Sequence, residues 1–405
     1  MSARARFLAV LGPGLVVMLA DSDVGSLITA GQSGAQWGYR LLPLQFALIP
    51  VLYVLQELAV RLGLFTGRGH GELIRASLGP RWAWAAAAAL AVATGGALLT
   101  EFAGIAGVGE LFGVPRTLTL ALAAACLLAI VLTGSYRRVE RAAIAIGLFE
   151  LFFVVVACAA RPDFAVVARQ SVSVPWHDSG YVYLVAANIG TVIMPWMIFY
   201  QQSAIADKRL RPEHYRAAQW DTALGAVVTQ LVMAAVLVAA AATLGGAGGD
   251  AGLASVGDLS RVLTPLLGGL AGRVVFALGM LGAALVAAIV AALALAWGLG
   301  EVAGYRHSLE HHPSKAPWFY AVFAAGVVGS AATVRLAPDL VSLNIGVQVM
   351  NTLLLPPVLG VLIALGARAL PPARRLRGPY LWLVAVLAAL TCALGLWSTL
   401  RALLA

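Results

Sequence analysis

The chain has 405 residues, of which 61% are hydrophobic and only 11% charged, with a formal net charge of +9. Soluble domains carry about a quarter charged residues, so composition excludes a soluble enzyme or a nucleic-acid-binding domain. The excess of Lys and Arg gathers in alternate loops, as in Arg137, Arg138 and Arg141 or Arg374, Arg375 and Arg377, which the positive-inside rule explains without nucleic acid.

Apolar runs of about 20 residues recur along the chain, the signature of a polytopic helical membrane protein. Eleven spans are expected, roughly 7–34, 41–63, 83–108, 117–134, 141–159, 181–203, 218–244, 269–297, 317–336, 340–368 and 379–401. The short basic start, Arg4 and Arg6, lacks a cleavage-site pattern, so the first run reads as retained. The loop charges place the N-terminus in the cytoplasm and the C-terminus outside. Cys126, Cys158 and Cys392 lie far apart in apolar runs, which argues against a disulfide or zinc framework.

The first span carries Asp21-Ser22-Asp23-Val24-Gly25-Ser26 near mid-depth. A carboxylate there costs about 2.5–3.5 kcal/mol on insertion scales, and a cation held by carboxylate and carbonyl oxygens offsets that cost. The stretch therefore reads as a broken helix that binds a metal ion. The sixth span is broken at Met194-Pro195-Trp196, since proline removes a backbone donor and clashes with the preceding turn. Two breaks five spans apart imply two inverted halves, residues 1–160 (spans 1–5) and 161–370 (spans 6–10). Residues 371–405 then form an additional eleventh span for packing or oligomer contact. Such paired broken helices point to a transport site at the midplane.

Breaking a helix frees carbonyls at the end of its first half, which attract a cation. Asp23 adds a full charge, Ser26 a neutral oxygen, the region of Thr191 main-chain carbonyls and Met194 a soft thioether. Oxygen ligands suit Mg and Mn, while a thioether tilts toward softer metals. Glu101 lies within the third span and either lines a path to the site or pairs with an arginine. Glu57, Glu72, Glu110, Glu140, Glu150 and Glu301 fall nearer span ends and read as interfacial or loop charges. All six histidines fall in loops, with His307, His311 and His312 beside Glu310 in an exposed cluster. A membrane-embedded metalloenzyme would need such groups inside the spans.

Gly12-Pro13-Gly14, Asp23-Val24-Gly25-Ser26 and Gly34-Ala35-Gln36-Trp37-Gly38-Tyr39 resemble, without a gap, the first span of the NRAMP family of divalent metal transporters. That family reads Gly-Pro-Gly, Asp-Pro-Gly-Asn and Gly-Ala-Gln-Phe-Gly-Tyr. Gln56, Arg61-Leu62-Gly63 and Thr66-Gly67-Arg68 resemble its second span and following loop. Gly190-Thr191-Val192-Ile193-Met194-Pro195-Trp196 is similar to its sixth-span Met-Pro-His motif, and Gln348 stands eight residues before Pro356 as a family glutamine does.

The resemblance implies an all-α LeuT-type fold of eleven helices with 5+5 inverted repeats, helices 1 and 6 broken, and metal import by alternating access. It assigns Asp23 and Met194 as metal ligands, with Gln348 joining on occlusion. Ser26 stands for the ligand asparagine and Thr191 for an alanine that lends its carbonyl. Trp196 replaces the motif histidine, Gln201 a second one, and Gly104 one of two third-span acids, leaving Glu101. Asp21 is an extra acid. These four accessory positions, Asp21, Glu101, Trp196 and Gln201, favour a hard, partly hydrated ion, as in the NRAMP-related magnesium branch, whereas Met194 favours Mn.

The expectation is therefore a secondary transporter of Mg and/or Mn in the cytoplasmic membrane, with weak or no proton coupling, no cofactor and no enzymatic activity. Its partners are the metal ion and the lipid bilayer, as a monomer or weak homo-oligomer. A sodium-coupled carrier of a small organic solute is the alternative on the same fold.

Overall fold

The computed structural model describes residues 12–245, 253, 255–337 and 340–404. Among them the regular structure is helical throughout. Span 1 is the pair α1 (Pro13–Asp21) and α2 (Val24–Trp37), and span 2 is α3 (Leu42–Thr66). After the short amphipathic α4 (His70–Leu78) come α5 (Pro80–Leu111), α6 (Arg116–Val131) and the pair α7 (Tyr136–Gly147) and α8 (Phe152–Ala159). A surface helix, α9 (Phe164–Ser171), precedes the second broken pair, α10 (Ser179–Thr191) and α11 (Pro195–Asp207). The chain continues through α12 (Tyr215–Leu244), α13 (Val256–Leu263), α14 (Gly269–Ala303), α15 (Pro317–Leu336), α16 (Leu340–Arg368) and α17 (Gly378–Leu404). Among the described residues, eight stretches are long and apolar enough to cross a membrane, and Arg116–Val131 and Leu353–Arg368 are shorter apolar helices.

α14 is the axle. Its 35 residues span about 50 Å at 1.5 Å per residue, well beyond the roughly 30 Å hydrocarbon core. Ala and Gly supply much of its length, so neighbours approach closely on every side, and it is buried nearly all round. α1, α5, α7, α11 and α15 all pack against it. α17 is no loose appendage, because it packs along α10 and α16.

The outer surface is apolar in the way lipid requires. Leu118 and Leu122 of α6, Val328 of α15 and Leu390 of α17 all face outward. Exposed tryptophans stand near the starts of α5 (Trp82, Trp84), α12 (Trp220), α15 (Trp318) and α17 (Trp382). These helices form spans 3, 7, 9 and 11, which start on the same side in any alternating topology. The tryptophans therefore form one interfacial belt, the position where indole rings with an apolar body and a polar N–H are enriched.

Candidate metal-transport site

The first break is shorter than the sequence reading has it. α1 ends at Asp21, only Ser22 and Asp23 leave the helix, and Gly25 and Ser26 already belong to the first turn of α2. Asp23 makes the restart: extended at φ −65°, ψ 171°, it is the N-cap, its Oδ1 accepting from the Ser26 backbone N–H at 2.7 Å. An Asp cap satisfies a donor that the helix start would otherwise orphan. Asp23 is buried, as are Asp21, Ser22 and Ser26. Ser26 Oγ and Asp21 Oδ1 have no hydrogen-bond partner.

In span 6 the break precedes the proline rather than centring on it. α10 ends at Thr191, Val192 to Met194 leave the helix, and Pro195 is the first residue of α11. Proline is preorganised for that position, where its missing N–H costs nothing. The Thr191 hydroxyl donates back to the Asn188 carbonyl at 3.0 Å, leaving main-chain carbonyls at the end of α10 as its offering. Met194 caps α11 and is 3% exposed.

The two broken spans interlock. α10 packs against α2 and α11 against α1, so each first half faces the other span's second half. Val24, Val192, Ile193 and Met194 belong to one buried apolar cluster. The ends of α1 and α10 and the Asp23 carboxylate are therefore all buried within the helix core. Among the described residues no three His, Cys, Asp or Glu side chains form a ready metal site. The candidate donors named from the sequence are mixed: the Asp23 carboxylate, neutral oxygens and a thioether. α16 reaches α11, but the side chain of Gln348 lies outside the described residues.

The accessory positions are all buried. Glu101 pairs with no arginine among the described residues; its Oε2 accepts the Val24 backbone N–H at 3.4 Å, while Oε1 has no partner. Gln201 donates to the Thr222 hydroxyl at 2.7 Å, and Trp196 leaves its Nε1 unpaired. At Gly104, a Cβ would lie 2.3 Å from a methyl of Val24. Where the family motifs carry an acid and a proline, this chain carries a glycine and a valine that fills its space.

Several interfacial readings are overturned. Glu150 is fully buried in the core, both carboxylate oxygens without a hydrogen-bond partner. It lies against Ser22 and in electrostatic range of Asp21, Asp23 and Glu101. A 3-10 stretch, Leu148–Leu151, interrupts span 5 here, and Glu150 continues the buried row of Val139, Ala143 and Gly147 at helical spacing. Glu57 is buried too, ion-paired with Arg61 at 2.6 Å and hydrogen-bonded to Tyr215 and Tyr380. Glu301 accepts the Gly71 N–H at 2.7 Å, and Glu140 pairs with Lys208 at 2.8 Å. His70 is no loop residue either: it opens α4, is 1% exposed, and bonds Gln202 at 2.7 Å. A Glu midway along the 141–159 run, three residues after Gly147, was the signal that could have flagged Glu150.

Residues 14–401 match the family described as Nramp, natural resistance-associated macrophage protein-like. The chain belongs to the Nramp family. Among its relatives is the divalent metal cation transporter MntH of Bradyrhizobium diazoefficiens, 30% identical over 304 residues, 71% of this chain and 67% of that one. The Klebsiella pneumoniae protein of the same name is 29% identical over 303 residues, 72% of each chain. Among solved structures, the Eremococcus coleocola manganese transporter superposes with a TM-score of 0.80 at 20% identity, covering 98% of this chain and 88% of that one. A Na+-coupled sialic acid symporter follows at 0.58 and 12% identity, covering 98% and 95%. These likenesses establish the LeuT-type transporter fold for this all-helical, multi-pass Nramp-family chain. Its named relatives and structural neighbours are transporters, not enzymes.

Proposed function

We propose that this protein is a secondary transporter that imports a divalent cation, Mg2+ or Mn2+, across the cytoplasmic membrane by alternating access. The N-terminus is cytoplasmic, and residues 1–160 and 161–370 act as inverted repeats, with span 11 added. Asp23 supplies the charge, Ser26 Oγ a neutral oxygen, the end of α10 near Thr191 its carbonyls, Met194 its thioether and Gln348 a late ligand. The observation that carries this reading is the pair of interlocked helix breaks around a buried carboxylate, supported by metal-transporting relatives. Membrane potential then favours entry by about 2.3 kcal/mol per charge at 100 mV.

Hard oxygen donors without imidazole fit Mg2+, which keeps part of its water shell. The retained thioether and the manganese-transporting neighbour keep Mn2+ in the reading. A sodium-coupled carrier of organic solute shares only the fold at a TM-score of 0.58. Uptake by proteoliposomes, with Ca2+ as control, tests the proposal. Mg2+ and Mn2+ should both enter, and Asp23→Ala should abolish both; full uptake by that variant would overturn it.

A further inference from the structure

A cavity of about 350 Å3 lies beyond the far end of α11 from Met194. Ser203, which lines it, is nine residues along the helix from Met194, about 13 Å at 1.5 Å per residue. Trp297, which also lines the cavity, packs on Tyr200, Phe319 and Tyr136 at centroid distances of 5.5, 6.2 and 6.4 Å. Exposed Gly67, Gly304 and Arg306 form the rim, so the cavity opens away from the membrane core, on the face assigned above to the cytoplasm.

Three carboxylates from three elements line it: Glu72 of α4, Asp207 of α11 and Glu301 of α14. Each is positioned by backbone. Glu301 Oε2 accepts from Gly71, Asp207 Oδ2 from Leu309 at 3.0 Å and Glu72 Oε2 from Gly69 at 3.4 Å. His307 reaches Glu72 through Nε2 at 3.5 Å and the Tyr305 carbonyl through Nδ1 at 2.7 Å. Two acceptors on two ring nitrogens describe an imidazolium. The His307 imidazolium and the rim Arg306 guanidinium offset two of the three carboxylates, leaving at most one negative charge in excess. Ser203 Oγ, 2% exposed, lines the same cavity without a hydrogen-bond partner.

No three of these side chains converge closely enough to strip and ligate an ion. The space suits an ion that keeps its water instead. Six waters at about 30 Å3 each occupy roughly 180 Å3, within the cavity volume, and Mg2+ gives up its waters reluctantly. We propose that this cavity is an exit-side site for a hydrated divalent cation, held through its water shell by Glu72, Asp207 and Glu301. The choice of ion rests on the transport reading; the site itself rests on the cavity and its charges.

Hexaamminecobalt(III), an exchange-inert complex the size of hydrated Mg2+, separates the two. It cannot enter the first coordination sphere of Asp23. Calorimetric titration of the full-length protein in detergent should show one equivalent bound, displaced by millimolar Mg2+. Glu72→Gln alone should weaken it several-fold and Glu72→Gln with Asp207→Asn at least tenfold, while Asp23→Ala leaves it unchanged. No binding by the wild type, or equal binding by the double variant, would overturn the site. Binding without any metal uptake would leave the site standing and overturn the transport reading alone. Displacement by Mg2+ is read on the wild-type protein, so it needs no variant to fold.

Discussion

The Asp221 carboxylate of α12 accepts the backbone N–H of Gly14 at 2.7 Å, and those of Gly12 and Leu15 at 3.1 and 3.3 Å. One buried side chain thus caps the start of α1 from a helix more than 200 residues away. It also explains the Gly12-Pro13-Gly14 motif: a Cβ on Gly14 would lie 2.7–2.9 Å from atoms of Thr222 and Asp221. Asp221→Ala leaves several buried N–H groups unpaired, at about 1–3 kcal/mol each when wholly unsatisfied. The expected result is a lower thermal midpoint and lower metal uptake; Asp221→Asn, which keeps one acceptor, should lie between.

Asp23 carries two duties that substitution can separate. Its Oδ1 caps α2, and its charge faces the core where the two breaks meet. Asp23→Asn keeps the cap and removes the charge, because Asn caps as well as Asp, whereas Ala costs about 1 kcal/mol at such a position. Uptake should vanish in both variants. Only Asp23→Ala should also lose thermal stability, and transport surviving in Asp23→Asn would mean that the charge is not needed.

Gly104 and Val24 form a second testable pair. Gly104→Ala drives its Cβ against the Val24 methyls and should destabilise by about 1–3 kcal/mol, the usual cost of overpacking a core. Combining it with Val24→Ala should recover most of that loss, a non-additivity expected only of residues in contact. Thermal melts of the four proteins in a double-mutant cycle measure it.

Much of the local geometry at the candidate site is legible in the sequence because its elements announce themselves locally. An Asp within an apolar run is costly enough to demand a reason, and it also reads as a helix cap. Pro195 breaks the sixth span, as read, but as the first residue of α11 rather than as the centre of the break. Glu150 is misread for a plainer reason: it stands midway along the 141–159 run, in helical register with buried Val139, Ala143 and Gly147, not near a span end. Glu57, Glu140 and Glu301 lie near span ends, as their positions suggest, yet tertiary partners from distant spans bury them. Gly104 looks like a lost acid until Val24 is seen filling its place.

His70 gives the protein an acid-side weakness. Burial pushes its imidazole down to about 4 against the Gln202 side chain that holds it, from about 6.5 in an unfolded chain. Between those values the unfolded state binds the proton and the native state does not. Stability is therefore unaffected above about pH 6.5 and falls as pH drops from there toward 4, by about 1.4 kcal/mol per unit within the window. His70→Gln, which cannot titrate, should flatten that part of the profile in melts recorded from pH 4 to 8. An unchanged slope would assign the acid sensitivity elsewhere.

Coupling is the last matter the buried residues bear on. Where relatives' motifs place imidazoles after the proline of span 6, this chain buries Trp196 and hydrogen-bonds Gln201 to Thr222. Neither side chain takes up a proton near neutral pH. Beside Asp23, the buried acids with an unpaired oxygen, Asp21, Glu101 and Glu150, belong to α1, α5 and the break of span 5, and span 6 carries no histidine to link them to either surface. Metal entry should then proceed with little or no proton movement. A pH-sensitive dye inside proteoliposomes should stay flat during Mg2+ or Mn2+ uptake, with potential alone setting the rate. Acidification that tracks metal influx, and disappears in Glu150→Gln, would show instead that these acids carry protons without the imidazoles.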